Sequence, residues 1–210
     1  MLESFSPIRV CMSHAFANLV TEFGNSALLL ALTGLVAAWL LATRQTREAG
    51  LWLVVVIACT GIIAALKIYF SACPVDGWAL HSPSGHAGFS AMVYGGIAHF
   101  TRHRQRPLQT WLLRGLVLFL VLAIAWSRLA LHAHSGFEVL LGLGIGSAAL
   151  LGFVVLSRAQ PLRPLPLWLV IPGVLLLVWL WHGHAVQFED WLAQIARSLN
   201  LRTLWCASAH

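Results

Sequence analysis

Six long runs of apolar residues limit what this chain can fold into more than any other feature. They cover residues 26–43, 51–70, 86–100, 112–127, 135–156 and 166–182. A helix of about 20 mostly apolar residues crosses the hydrocarbon layer of a bilayer. Only 10% of the residues are charged, against about a quarter in soluble domains. The pattern predicts an all-α, polytopic membrane protein with six transmembrane helices.

The runs follow one another through short turns, which predicts a single domain over residues 1–210. Prolines and arginines after the third and fifth runs mark these turns. Residues 26–182 are expected to form the six-helix core. Residues 1–25 are expected to form an amphipathic helix on the membrane surface, with a poorly ordered terminus as the alternative, and residues 183–210 a second outer surface segment.

The basic residues predict how the chain is oriented in the membrane. Loops 42–50, 101–114 and 157–165 hold eight of the 13 lysines and arginines, and short cytoplasmic loops accumulate such residues. Both termini and the loop 71–85 are therefore expected on the outer side. We expect an integral protein of the bacterial inner membrane with its site on the periplasmic side. The net charge of +6 reflects this bias, so no nucleic-acid partner is expected.

Two polar clusters interrupt the apolar pattern, at Ser127–Glu138 and at His81–His86. Ionisable residues at a membrane boundary are costly and usually functional. If His134 opens the fifth helix, Glu138 lies one turn further on the same face. Its carboxylate can then accept Nδ1–H of His134 and leave Nε2 as a nucleophile.

The same clusters contain groups that suit phosphoryl transfer. The planar fork of Arg128 matches two phosphate oxygens. Ser84 and the Gly85 backbone lie at the expected N-terminus of the third helix, where N–H groups and the helix dipole favour an anion. His86 can protonate the departing oxygen. These residues together predict a phosphoryl-transfer site.

Pro83-Ser84-Gly85-His86, followed by Ser127-Arg128, five residues and His134, resembles the second and third signatures of the type 2 phosphatidic acid phosphatase superfamily. That superfamily also contains soluble vanadium haloperoxidases. The resemblance extends from about Phe23 to Leu156 and implies a six-helix membrane fold without a cofactor. It implies a phosphohistidine intermediate on His134 and leaving-group protonation by His86. The residues that it implies for phosphate binding are Lys67, Ser84, Gly85 and Arg128.

Two positions depart from the superfamily pattern. Its first signature is a lysine, six residues and Arg-Pro, whereas Lys67 is followed at those positions by Pro74 and Val75. One phosphate-binding cation is therefore missing, which is expected to weaken binding of a highly charged phosphate or to admit a different head group. Glu138 replaces the usual aspartate, so the orienting charge is kept on a longer side chain.

The remaining histidines near the site have weaker assignments. His132 has no role in the superfamily pattern and is considered as an accessory contact to a substrate phosphate or head group, and His81 as a residue that shapes the mouth of the site. A histidine bonded to the backbone and a solvated loop are the simpler interpretations. Gly142, Gly144 and Gly146 are expected to allow close helix packing, because no Gly-x-Gly-x-x-Gly follows a strand.

The sequence thus predicts a phosphoric monoester or diphosphate hydrolase that acts on a phospholipid or polyprenyl phosphate. A lipid phosphotransferase would use the same intermediate, and a non-catalytic protein that binds or transports anionic lipids is the third alternative. A metal hydrolase is disfavoured by Lys67 and Arg128 in the same pocket, and a serine protease by the context of Ser84. No metal is expected, since the four cysteines include no Cys-x-x-Cys pair. The choice of lipid, the oligomeric state and any disulfide among Cys11, Cys73 and Cys206 stay open.

Overall fold

The computed structural model describes residues 7–72, 82–101, 107–157 and 164–181. These residues form seven helices and no strand, which confirms the all-α prediction. The helices are α1 (Pro7–Glu22), α2 (Ser26–Ala42), α3 (Thr46–Ala72), α4 (Gly85–Phe100), α5 (Pro107–Ala130), α6 (Gly136–Ser157) and α7 (Leu167–Trp181).

The six predicted runs correspond to helices α2 to α7. Four stretches are long and apolar enough to cross a membrane, namely Ala15–Ala42, Thr46–Phe70, Pro107–Ala130 and Gly136–Ser157. Helices α4 and α7 are apolar but shorter, with 16 and 15 residues. The chain is therefore a polytopic membrane protein, in which α4 and α7 are shorter than the helices around them.

Helix α1 packs against α5, and the ring of Phe16 lies 6.3 Å from that of Trp126. A tight turn then leads into α2, whose first turn is capped by a bond of 2.9 Å from the N–H of Ala27 to Oδ1 of Asn25. A helix thus forms within residues 1–25, and its place on the membrane surface stays a prediction. The predicted segment 183–210 lies outside the described residues.

Helix α4 is the centre of the bundle. Twelve of its 16 residues are buried, because α2, α3, α5 and α6 surround it. Its most extensive contact is with α6, and glycines make that contact close. A Cβ on Gly142 would strike the Ser84 carbonyl oxygen, and one on Gly146 would strike that of Gly88. Nothing lies within 4 Å of a Cβ on Gly144, so the packing prediction holds for Gly142 and Gly146 but is wrong for Gly144.

An aromatic cluster closes the bundle at the C-terminal end of α4. The indole N–H of Trp52 donates to the carbonyl oxygen of Thr33 at 3.1 Å. The ring centroids of Phe100 and Phe153 each lie 5.5 Å from that of Trp52 in edge-to-face geometry. The polar clusters found in the sequence lie at the opposite end of α4.

Candidate active site

Four helix ends meet at the N-terminal end of α4. The N–H of Ser84, just before α4, donates to the carbonyl oxygen of Glu138 in the first turn of α6 at 3.0 Å. Lys67, near the end of α3, lies beside Gly85. Arg128 lies in the last turn of α5. Because successive helices run in opposite directions, residues from distant parts of the sequence meet here.

His134 and Glu138 form a buried pair. Nδ1 of His134 lies 3.1 Å from Oε2 of Glu138, and each side chain is only 6% exposed. A carboxylate in this position holds the proton on Nδ1 and directs the lone pair of Nε2 away from itself. The spacing predicted this contact, although α6 begins at Gly136 and His134 lies just before it rather than opening it.

Glu138 also caps the N-terminus of α6. The N–H of Ser135 donates to Oε2 of Glu138 at 2.9 Å, and the N–H of Glu138 approaches the Ser135 hydroxyl at 3.4 Å. This reciprocal arrangement is a capping box. The pattern Ser-x-x-Glu at residues 135–138 is the sequence signal for such a capping box, and it could have predicted this second role of Glu138.

The second oxygen of Glu138 reaches across to the segment before α4. Oε1 accepts the N–H of Ser82 at 2.8 Å, beside the backbone bond from Ser84. Glu138 therefore connects His134 to the segment that precedes the α4 N-terminus. Nothing in the local sequence pointed to this contact, because Ser82 and Glu138 are 56 residues apart.

The start of α4 has the features of an anion-binding site. Ser84 is its N-cap and is fully buried, with its hydroxyl 3.5 Å from the N–H of Ala87. Nζ of Lys67 lies 3.8 Å from the position of a Cβ on Gly85, and Lys67 is only 9% exposed. A buried ammonium beside a helix N-terminus favours a phosphate group.

Arg128 and His86 border the same end of the bundle. The backbone oxygen of Arg128 accepts the N–H groups of Ala133 at 3.0 Å and His134 at 3.3 Å, which folds the turn back over the end of α5. Nη1 of Arg128 donates to the Thr21 hydroxyl at 3.1 Å. His86 lies in the first turn of α4, half-buried.

The structure describes one of the two histidines considered as accessory contacts, His132, but not the other, His81. His132 is exposed in the turn before α6, with φ at 52°, and its N–H donates to Leu129 O at 3.0 Å. His81, Pro74 and Val75 fall outside the described residues. Within the parts of the chain that the structure describes, no group of three or more His, Cys, Asp or Glu side chains could hold a metal ion.

Comparison with known proteins gives one match. A model of the PAP2 superfamily matches residues 49–161, just over half of the 210 residues. It covers α4, α5, α6 and nearly all of α3, and it begins after α1 and α2. No curated protein and no solved structure matches the chain.

Proposed function

Because the chain belongs to the PAP2 superfamily, we propose that it hydrolyses a lipid phosphate or pyrophosphate at the extracytoplasmic face of the membrane, through a phosphohistidine intermediate. Membership supports a phosphatase that acts on phosphate esters, and the apolar helices make it an integral membrane protein. The observation that carries the proposal is the buried contact between Nδ1 of His134 and Glu138.

In the first step, Nε2 of His134 attacks the phosphorus atom and the bond from phosphorus to the leaving oxygen breaks. Glu138 keeps the proton on Nδ1 and stabilises the positive charge that develops on the ring. His86, in its protonated form, gives its proton to the departing oxygen. The products of this step are the lipid alcohol, or the shorter phosphate, and phosphorylated His134.

In the second step, water attacks the phosphorus atom of phosphohistidine. His86, now neutral, accepts a proton from that water, and the bond between phosphorus and Nε2 breaks. Inorganic phosphate leaves, and both histidines return to their starting protonation states. One residue thus serves as acid and then as base.

Charge stabilisation comes from three sources around the attacked phosphate. The ammonium of Lys67, the guanidinium of Arg128 and the N–H groups at the start of α4 are arranged at one end of the bundle. Phosphoryl transfer depends mainly on positioning and on such electrostatic stabilisation, since charge spreads over the equatorial oxygens.

The proposal is tested by replacing the nucleophile in the protein reconstituted into vesicles. We expect H134A to lose at least about 1,000-fold in phosphate release from phosphatidic acid, phosphatidylglycerol phosphate or a polyprenyl pyrophosphate, as for other nucleophile deletions. H132A is the matched control, since His132 is exposed two residues away, and should retain activity. Equal turnover by H134A and wild type would refute the proposed nucleophile.

The intermediate can be tested separately. Wild-type protein mixed briefly with a lipid labelled at the reacting phosphate and quenched in alkali should carry label on His134, because phosphohistidine survives base and is lost in acid. Hydrolysis without label on any histidine, in rapid-quench samples taken before the first turnover ends, would contradict a covalent route.

A further inference from the structure

Residues 21–25, which comprise the last two residues of α1 and the turn that leads into α2, lie against two of the proposed site residues. We call these residues the α1–α2 corner. Oγ1 of Thr21 accepts the hydrogen bond from Nη1 of Arg128 at 3.1 Å. A Cβ on Gly24 would lie 3.3 Å from Cδ2 of His86 and 2.8 Å from a methyl group of Ile124. The corner lies outside the segment matched by the family model.

The corner is held firmly in place. Three successive backbone bonds of 2.9–3.2 Å tie its N–H groups to the last turn of α1. The phenol of Tyr94, which is only 4% exposed, donates to the carbonyl oxygen of Phe23 at 2.7 Å. Since Tyr94 belongs to α4, the corner is fixed to the same helix that carries His86.

We propose that the α1–α2 corner is a wall of the active site, in which Thr21 positions Arg128 and Gly24 leaves the room that His86 needs. This inference rests on the proposed phosphatase function. Arg128 carries its guanidinium on a long, flexible side chain, and the hydrogen bond to Thr21 restrains where that group lies. The absence of a side chain at residue 24 lets the His86 ring lie against the corner backbone.

The role of Thr21 is tested with T21V and T21S in reconstituted vesicles. Valine keeps the shape of threonine but removes the acceptor, and serine restores it. We expect T21V to raise KM and to weaken inhibition by inorganic phosphate about 10-fold, the effect of one hydrogen bond to a charged group, while T21S stays near wild type. T60V, which removes a hydroxyl bonded to Val56 O within α3, should change neither value. Equal KM and inhibition constants for T21V and T21S would overturn the role of Thr21.

The role of Gly24 is tested with G24A and two kinds of phosphate ester. An added methyl group would meet both Ile124 and the His86 ring. The shift of that ring should slow the first step with an alkoxide leaving group about 10-fold to 100-fold, within the range of general acid catalysis. The first step with an aryl phosphate, followed as the burst of released phenolate, needs no proton on the leaving group and should stay close to the wild-type rate. G34A, placed in α2 where nothing lies within 4 Å of a Cβ, is the control. Equal losses in the rate of the first step for both esters would overturn the role of Gly24.

These outcomes separate the corner from the proposed function. Absence of hydrolysis by the wild-type protein, or full activity of H134A, would refute the phosphatase mechanism itself. An active wild type together with unchanged T21V and G24A would refute the corner proposal alone.

Discussion

Replacing Gly142 with alanine should damage the active site from within the core of the bundle. Gly142 lies on α6 where the backbone just before α4 approaches closely, and the added Cβ would strike the carbonyl oxygen of Ser84. That atom belongs to backbone and cannot turn aside as a flexible side chain could. The two helices must therefore move apart at the level of Ser84, the N-cap of α4.

The expected losses of stability and of catalytic rate follow from the contacts that this movement breaks. Overpacking of a close core contact costs about 1–3 kcal/mol of the free energy of unfolding. A separation of about 1 Å at Ser84 also stretches its bond to Glu138 O, now 3.0 Å, and the neighbouring bond from Ser82. A displacement of that size at a catalytic group costs about 100-fold in rate.

The assay compares G142A with G144A. Gly144 lies on the same helix with open space around its Cβ position, so alanine there should stabilise α6 by up to about 1 kcal/mol through helix propensity. We expect G142A to lower Tm and to lose about 100-fold in kcat/KM for a lipid phosphate, and G144A to do neither. Full activity and an unchanged Tm in G142A would refute the close packing of α4 on α6.

Three further substitutions give sharp outcomes. E138Q removes the charge beside the proposed nucleophile, His134, and one of two acceptor oxygens, so kcat should fall by about 100-fold or more. Activity near wild type would contradict the orienting role. In a cysteine-free background, an impermeant maleimide should label H132C from outside sealed cells but R44C only after permeabilisation, and the reverse pattern would refute the predicted orientation. W52F loses the bond to Thr33 O and part of the aromatic cluster, which should cost about 1–3 kcal/mol of stability without changing kcat of the folded enzyme.

Hydropathy predicted the helices well because membrane spans are long and apolar, but it missed where they end. The fourth run was expected at 112–127, whereas α5 extends from Pro107 to Ala130. Proline is accepted in the first turn of a helix, and polar residues at helix ends lower hydropathy without breaking the helix. The central place of α4 among its neighbours was not predicted either, since apolar spacing alone does not identify the partner helices.

In the candidate site, contacts between residues close in sequence could be predicted, whereas contacts between distant residues could not. The contact of His134 with Glu138 follows from a spacing of four residues and could be predicted. The contacts of Ser82 with Glu138 and of Thr21 with Arg128 join residues 56 and 107 positions apart. Such contacts depend on how whole helices pack, which no single-sequence pattern encodes.

The length of α4 has a consequence for how a substrate reaches Ser84. Sixteen residues rise about 24 Å along a helix axis, whereas the hydrocarbon layer is about 30 Å thick. Centred in the bilayer, α4 ends about 3 Å short of each surface, while α3, with 27 residues, rises about 40 Å. We therefore expect the N-terminus of α4 to lie slightly below the water boundary when the helix is centred in the bilayer. For the proposed lipid substrate, whose phosphate lies at the membrane surface, this small depth is all that separates the phosphate from Ser84.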